Sequence, residues 1–338
     1  MSDFYQIPPE QQAERMRELG AQALSHWDLT GADLTVLKMR ENAVFRVQTA
    51  GGQRYALRIH RHAYHSDAAL ASELQWMQAL DAAGIRVPDV IPAASGELFV
   101  VVEAPSIPEP RQVDLFAWVE GEQLGSVEEK LGADVKQAHI FATVGEIAGR
   151  VHNQACAWEL PEGFVRHAWD VDGLTGEHPF WGRFWEHEAL SASQRKLLER
   201  LRATLREDLT AFGRTRHNYS LIHADFTPEN LMLEGDQVRL IDFDDAGFGW
   251  HLFEIATTLF FHLGEDYFDD IQDALIRGYR SVRPLPDEQL DYLPLFFAAR
   301  ATTYLGWVHT RSETETAREL TPMLIEAACG IAENYLPA

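Results

Sequence analysis

Between Leu221 and Asp245 the chain reads LIHADFTPENLMLEGDQVRLIDFDD. Three of its oxygen-bearing side chains, Asp225, Asn230 and Asp242, have the types and spacing that phosphoryl transfer uses. That chemistry needs a carboxylate to take or orient a hydroxyl proton. It also needs hard oxygen ligands for the divalent ion that accompanies a nucleotide. Two short apolar runs, Leu231–Leu233 and Val238–Ile241, flank Glu234-Gly235-Asp236. Glycine and aspartate between two such runs predict a hairpin. Its closure is expected to set Asn230, at the start of one strand, beside Asp242, at the end of the other, at about 5 Å. Read only as turn carboxylates, Asp225 and Asp242 leave His223, Asn230 and their spacing unexplained.

The paired pattern His223-Ala224-Asp225…Asn230 and Ile241-Asp242-Phe243-Asp244 resembles the catalytic and metal loops of the protein-kinase-like fold. With so short an interval between the two parts, it is similar to the aminoglycoside phosphotransferase superfamily. That group includes choline and ethanolamine kinases, type II homoserine kinases and bacterial stress-response Ser/Thr kinases. The resemblance implies an α+β, bilobal fold. An antiparallel-sheet N-lobe over residues 1–120 would bind nucleotide, and a mainly helical C-lobe over residues 121–338 would carry catalysis and the acceptor. It implies ATP between the lobes as co-substrate and Mg2+ on Asn230 and Asp242. Asp225 and Asn230 are then the catalytic residues, with Asp225 at the acceptor hydroxyl. His223 is expected to orient the loop, and Asp244 or Asp245 to meet a second magnesium or the acceptor.

The elements that must position these groups follow from hydrophobic periodicity. A lead-in helix is expected over residues 10–26, then strands at Leu34–Met39, Val44–Thr49 and Tyr55–His60. Where protein kinases carry a glycine-rich loop, this chain has Glu41-Asn42-Ala43-Val44-Phe45, so phosphate contact falls to backbone N–H groups or to Asn42. By the same resemblance Arg58 stands where the family pattern has a phosphate-binding lysine. Glu73, on a helix expected at Ala68–Ala82, is its ion-pair partner. Arginine keeps the charge but can fork onto two oxygens. Val87–Pro92 and Leu98–Glu103 follow as strands. Val113–Val119 exits at Glu120-Gly121 and resembles the interlobe hinge, which assigns the backbone of Ala117, Trp118 and Val119 to the adenine edge. His60, His62 and His65 lack metal-site spacing and read as polar loop residues.

The rest of the chain reads as mostly helical. Val135–Cys156 carries His152 as a buried structural contact. Trp158–Trp185 is rich in aromatic residues and reads as a packed irregular segment, though ring faces can hold cations. Ala189–Phe212, Leu290–Val308 and Ala317–Tyr335 are amphipathic or apolar helices. Asp291, Arg300, Tyr304 and Trp307 are candidates for the acceptor side. Arg300 and Tyr304, four apart, share a helix face.

Composition narrows the partners. The 338 residues are 46% hydrophobic and carry a net charge of −23. That supports a large core and argues against nucleic acid as a partner. Two cysteines, Cys156 and Cys329, sit in no metal-binding pattern and are expected as buried free thiols. The N-terminal residues lack a leader pattern, and no apolar run reaches the ~20 residues of a membrane span. A cytoplasmic protein is the expectation. The acceptor is expected to be a small amino alcohol or hydroxy amino acid. A Ser/Thr protein kinase of the stress-response kind is the alternative enzyme. A nucleotide-holding pseudokinase module is the alternative of another class, against which Asp225, Asn230 and Asp242 are all in place.

Overall fold

The computed structural model describes residues 4–39, 42–125, 135–235 and 237–337. Glu41 of the expected phosphate loop and Asp236 of the expected hairpin turn lie outside these residues. The chain divides into two compact units, Met1–Glu120 with Leu160–Val165, and Gly121–Glu159 with Arg166–Ala338.

In the first unit, helix α1 (Pro9–Ala23) precedes strands β1 (Asp33–Met39), β2 (Ala43–Gln48) and β3 (Arg54–Ile59), then helix α2 (Asp67–Ala82). Strands β4 (Phe99–Val102) and β5 (Arg111–Ala117) complete an antiparallel sheet in the order β1-β2-β3-β5-β4. Alternate residues of β2, Phe45 and Val47, face a core shared with Leu19, Leu57, Ile59, Val113 and Leu115, as the two-residue period of a strand dictates. Strand β3 is therefore central, which places Arg58 on an inner strand. The expected strand at Val87–Pro92 is absent apart from one bridge, Val90 to Phe116. Pro88 and Pro92 each lack the N–H that a ladder requires. Ser66 caps α2 through its Oγ, which accepts from Ala69 N at 3.2 Å.

The second unit opens with β6 (Glu122–Gln123), α3 (Val135–Ala157), β7 (Ala168–Trp169), α4 (Val171–Thr175) and α5 (Ala192–Phe212). Ser191 and Gln194 form a capping box at the start of α5, which buries Leu198, Leu201, Leu205 and Leu209 at helical spacing. Strands β8 (Tyr219–Ile222), β9 (Leu231–Glu234), β10 (Gln237–Leu240) and β11 (Gly247–Trp250) follow. They form two small sheets, ordered β10-β9-β6 and β7-β11-β8. Helices α6 (His251–Leu259), α7 (Phe268–Val282), α8 (Asp287–Leu290), α9 (Leu293–Thr310) and α10 (Glu315–Tyr335) end the chain. Helices α3 and α7 pack backbone to backbone. A Cβ on Gly145 would lie 2.0 Å from Leu275 O, and one on Gly278 would lie 1.8 Å from Ala142 O.

Cys329 is buried as expected, but Cys156 is exposed because it lies in the last turn of α3. Among the described residues no helix is long and apolar enough to cross a membrane.

Candidate active site

The hairpin forms with Leu231 opposite Leu240, and Ile241 N donates to Asn230 O at 2.9 Å. Asp242 therefore follows the partner of Asn230 by one residue, rather than facing it. It leaves the strand at φ 64°, a left-handed turn that aspartate tolerates better than branched residues. Asp242 is exposed, Asp244 is buried and Asp245 is half-buried.

The loop before the hairpin is fixed from beneath. Glu254, fully buried on α6, accepts backbone N–H groups from His223 at 2.8 Å and Ala224 at 2.7 Å. Ala224 has φ 64°, which costs energy in a non-glycine residue. The two charge-assisted bonds offset that cost. Burial raises the Glu254 carboxyl above its ordinary range, and the field of His223 and the two N–H donors act against that rise. His223 Nδ1 accepts from Asp225 N at 3.2 Å, and its Nε2–H donates to Ile241 O at 3.0 Å. Burial pushes its pKa down to about 4, so the ring is neutral near pH 7. His223 thus ties Asp225 to Ile241, just before Asp242. It has no spare nitrogen with which to move a proton.

Asp225 is held from two sides. Its Oδ2 accepts from Asn230 Nδ2 at 2.7 Å, and its Oδ1 accepts from Arg300 Nη2 at 3.2 Å. Turning its nitrogen to Asp225 leaves the amide oxygen of Asn230 as an acceptor. Arg300 and Tyr304 lie together on α9, with the guanidinium carbon 4.0 Å from the Tyr304 ring centre. Arg300 also lies 4.9 Å from the Trp181 ring centre. Burial raises the Tyr304 hydroxyl well above its usual pKa. The other two acceptor candidates are placed differently. Asp291 is exposed after α8, and Trp307 carries the Arg311 guanidinium over its ring at 5.1 Å.

The aromatic segment packs irregularly, as its sequence predicts, and it also staples the loop after Asp242. Arg166 donates to the carbonyls of Ala246 and Asp244, each at 2.5 Å. Trp169 Nε1 donates to Asp245 O at 2.9 Å, and Trp181 Nε1 donates to Asp245 Oδ1 at 3.1 Å. This draws Asp245 toward Trp181. His152 is buried in the core, with Nδ1 2.8 Å from the Tyr279 hydroxyl.

In the first unit, Arg58 and Glu73 pair as expected, at 2.7 Å. A second carboxylate, Asp114 on β5, takes the same guanidinium in a forked contact, Nε to Oδ1 at 3.1 Å and Nη2 to Oδ2 at 2.7 Å. His60, one residue past the end of β3, is a polar loop residue as expected but a buried one: it lies 3.0 Å from Asp114 Oδ2, on the side of the sheet that Arg58 takes. Burial works against the Asp114 charge, yet Arg58 and His60 hold its carboxyl below the usual range. Asn42 Oδ1 accepts from Arg61 N at 3.0 Å, which ties the first connection to the end of β3. At the expected hinge, Ala117 N already donates to Asp89 O at 2.9 Å. Trp118 and Val119 are half-buried beyond it.

Asp114, Glu254 and Arg166 were not singled out in the sequence. Two of them leave a trace there: Asp114 is a lone acid in the apolar strand VDLF, and Glu254 is a lone acid in the apolar helix HLFEIATTLF. A charge inside such a run is expensive unless it is paired.

An aminopropanol kinase associated with a microcompartment superposes with a TM-score of 0.83 at 32% identity, over 94% of this chain and 97% of that one. Amicoumacin kinase of Bacillus subtilis is 21% identical over 309 residues, 88% of this chain and 86% of the relative. Homoserine kinase of Rhizobium johnstonii is 27% identical over 234 residues, 68% of this chain and 65% of the relative. The fold is that of the protein-kinase-like phosphotransferases, and it accompanies the loop geometry above. Residues 34–287 match the phosphotransferase enzyme family, and the chain belongs to it as a kinase.

Proposed function

We propose that the protein transfers the γ-phosphate of ATP, with Mg2+, to a hydroxyl of a small amino alcohol or hydroxy amino acid. The observation that carries this reading is the Asp225 carboxylate, held by Asn230 and Arg300 beside the segment that leads from β10 into Asp242. The relatives named for aminopropanol, amicoumacin and homoserine support a small acceptor over a protein one.

The donor set suits magnesium: an amide oxygen from Asn230 and a carboxylate from Asp242, both hard oxygen ligands without sulfur or imidazole among them. A bound magnesium would screen the negative charge of the phosphates during transfer. Asp225 orients the acceptor hydroxyl and takes its proton as the oxygen attacks phosphorus. Asn230 does two things in this scheme. Its nitrogen aligns Asp225, and its oxygen would be a ligand for the metal. Arg58, in its pair with Glu73, and the backbone near Asn42 serve the nucleotide phosphates. Asp114 limits that role, because it shares the Arg58 charge. The backbone of Trp118 and Val119 takes the adenine edge, since Ala117 has already donated its N–H. Asp244 and Tyr304 serve the acceptor side. Positioning and electrostatics provide most of the acceleration in such a site.

The test is incubation with γ-labelled ATP and Mg2+ against 1-amino-2-propanol, ethanolamine, choline and L-homoserine, beside a cell lysate. Label is expected on a small molecule, and Asp225→Asn should slow its appearance by at least about 100-fold. Label that appears only on lysate proteins would move the acceptor to the protein-kinase alternative. ATP binding without turnover would leave a nucleotide-binding module.

A further inference from the structure

Arg300 has no exposed side-chain surface, and among the described residues its ion pair is with Asp225 Oδ1 at 3.2 Å. Its Nε and Nη1 find no hydrogen-bond partner among the described residues. Three aromatic rings surround it: Tyr304 at 4.0 Å, Trp181 at 4.9 Å and Phe253 at 5.4 Å from the guanidinium carbon. An arginine placed for stability alone would satisfy more of its five donors. This one is aimed along its bond to Asp225, at the cost of three unmet N–H groups on Nε and Nη1. Its rings offer it favourable faces, and the Tyr304 hydroxyl is its second polar neighbour beside Asp225.

We propose that Arg300 is a positioning residue for phosphoryl transfer. It fixes the plane of the Asp225 carboxylate from the Oδ1 side, as Asn230 does from the Oδ2 side. The inference rests on the reading of Asp225 as the group that takes the acceptor proton. The carboxylate torsion of aspartate is soft and broad when unrestrained. A half-exposed carboxylate held on one oxygen alone turns about that torsion and spends less time aligned with the acceptor. Two donors on different oxygens remove this freedom. Arg300 is sealed from solvent, so it acts through Asp225 and does not itself touch the acceptor. The aromatic box is also occupied by the protein's own cation, so an acceptor ammonium does not enter it.

The experiment compares Arg300→Met, Arg300→Lys, Asp225→Asn and the double variant Arg300→Met/Asp225→Asn. ADP formation from MgATP is followed with 1-amino-2-propanol as acceptor and, in parallel, with water alone. Methionine fills the box without charge. Arg300→Met should lower kcat by about 30-fold and leave KM for MgATP within about twofold, since misplacement by about 1 Å costs on that order. Arg300→Lys, which keeps a donor and a charge, should recover most of the loss. The double variant should be no slower than Asp225→Asn, because a residue that acts through Asp225 has nothing left to position. If Arg300→Met fails to fold, Arg300→Lys is read by the same split: kcat reduced, KM for MgATP unchanged. An unchanged kcat in Arg300→Met, or a further loss in the double variant, overturns the proposal. An Asp225→Asn variant that keeps wild-type turnover overturns instead the reading of Asp225 as the proton acceptor.

Discussion

Glu254 accepts the backbone N–H groups of both His223 and Ala224, at 2.8 and 2.7 Å, from inside a fully buried helix. One carboxylate thus supports the left-handed turn that presents Asp225. Glu254→Gln keeps the shape but turns an N–H2 group toward one of the two backbone donors. A buried donor left unmet costs about 1–3 kcal/mol. Urea unfolding should show a loss in that range, and kcat should fall at least tenfold with little change in KM for MgATP. A variant as active as the wild type would mean that the turn holds without this support.

Asp225 and Asp242 should separate chemistry from nucleotide binding. Asp225→Asn removes the proton acceptor and should lower kcat by about 100- to 10,000-fold, the range for loss of a general base. Its affinity for MgATP, read by calorimetry, should stay close to the wild type. Asp242→Ala should weaken MgATP binding itself by at least tenfold. Equal nucleotide affinity in both variants would remove Asp242 from the metal site.

Asp114 and Glu73 share the Arg58 guanidinium, with all three side chains buried. Loss of one partner from a buried charge pair costs about 3–5 kcal/mol. Glu73 remains in Asp114→Ala, so a loss near the lower bound, about 3 kcal/mol, is expected in chemical denaturation. A neutral result would show that Glu73 alone satisfies Arg58 and that His60 repacks over the gap.

Stability should fall as the pH drops below neutrality. Burial holds His223 and His262 down to about 4, against an ordinary value of 6.5, and holds His152 and His251 well below it. Above 6.5 these rings are neutral in both states and contribute no slope. Below it the unfolded chain takes up protons that the folded rings refuse until about 4, so protonation favours unfolding throughout that window. Glu254 acts in the opposite direction. Its raised pKa means the folded form keeps a proton that the unfolded form loses above 4.5. With His187, also lowered by burial, five histidines against one glutamate leave a net loss. Thermal melts from about pH 7.5 down to about pH 5 should show Tm decreasing, less steeply in His262→Gln, because each depressed histidine contributes up to about 1.4 kcal/mol per pH unit. A flat or rising Tm would contradict this balance.

The sequence alone determined the parts whose chemistry is local. HADFTPEN and IDFDD fix residue types and spacing within one short segment, and two four-residue strands are enough to bring Asn230 near Asp242. The alternation of β2 and the helical spacing of Leu198, Leu201, Leu205 and Leu209 also declare their buried faces locally. Arg58 and Glu73, 15 residues apart, were legible as a pair only through the resemblance to kinases. Tertiary structure decided the long-range partners. Asp114 meets Arg58 across 56 residues because β5 pairs with β3, and strand order is not written in either strand. Arg166 reaches Ala246 across 80 residues, and Arg300 reaches Asp225 across 75. A single charged residue in an apolar run states that it needs a partner. Which partner it finds depends on how distant elements pack, and that depends on the hydrophobic surfaces of the whole chain rather than on neighbours in sequence.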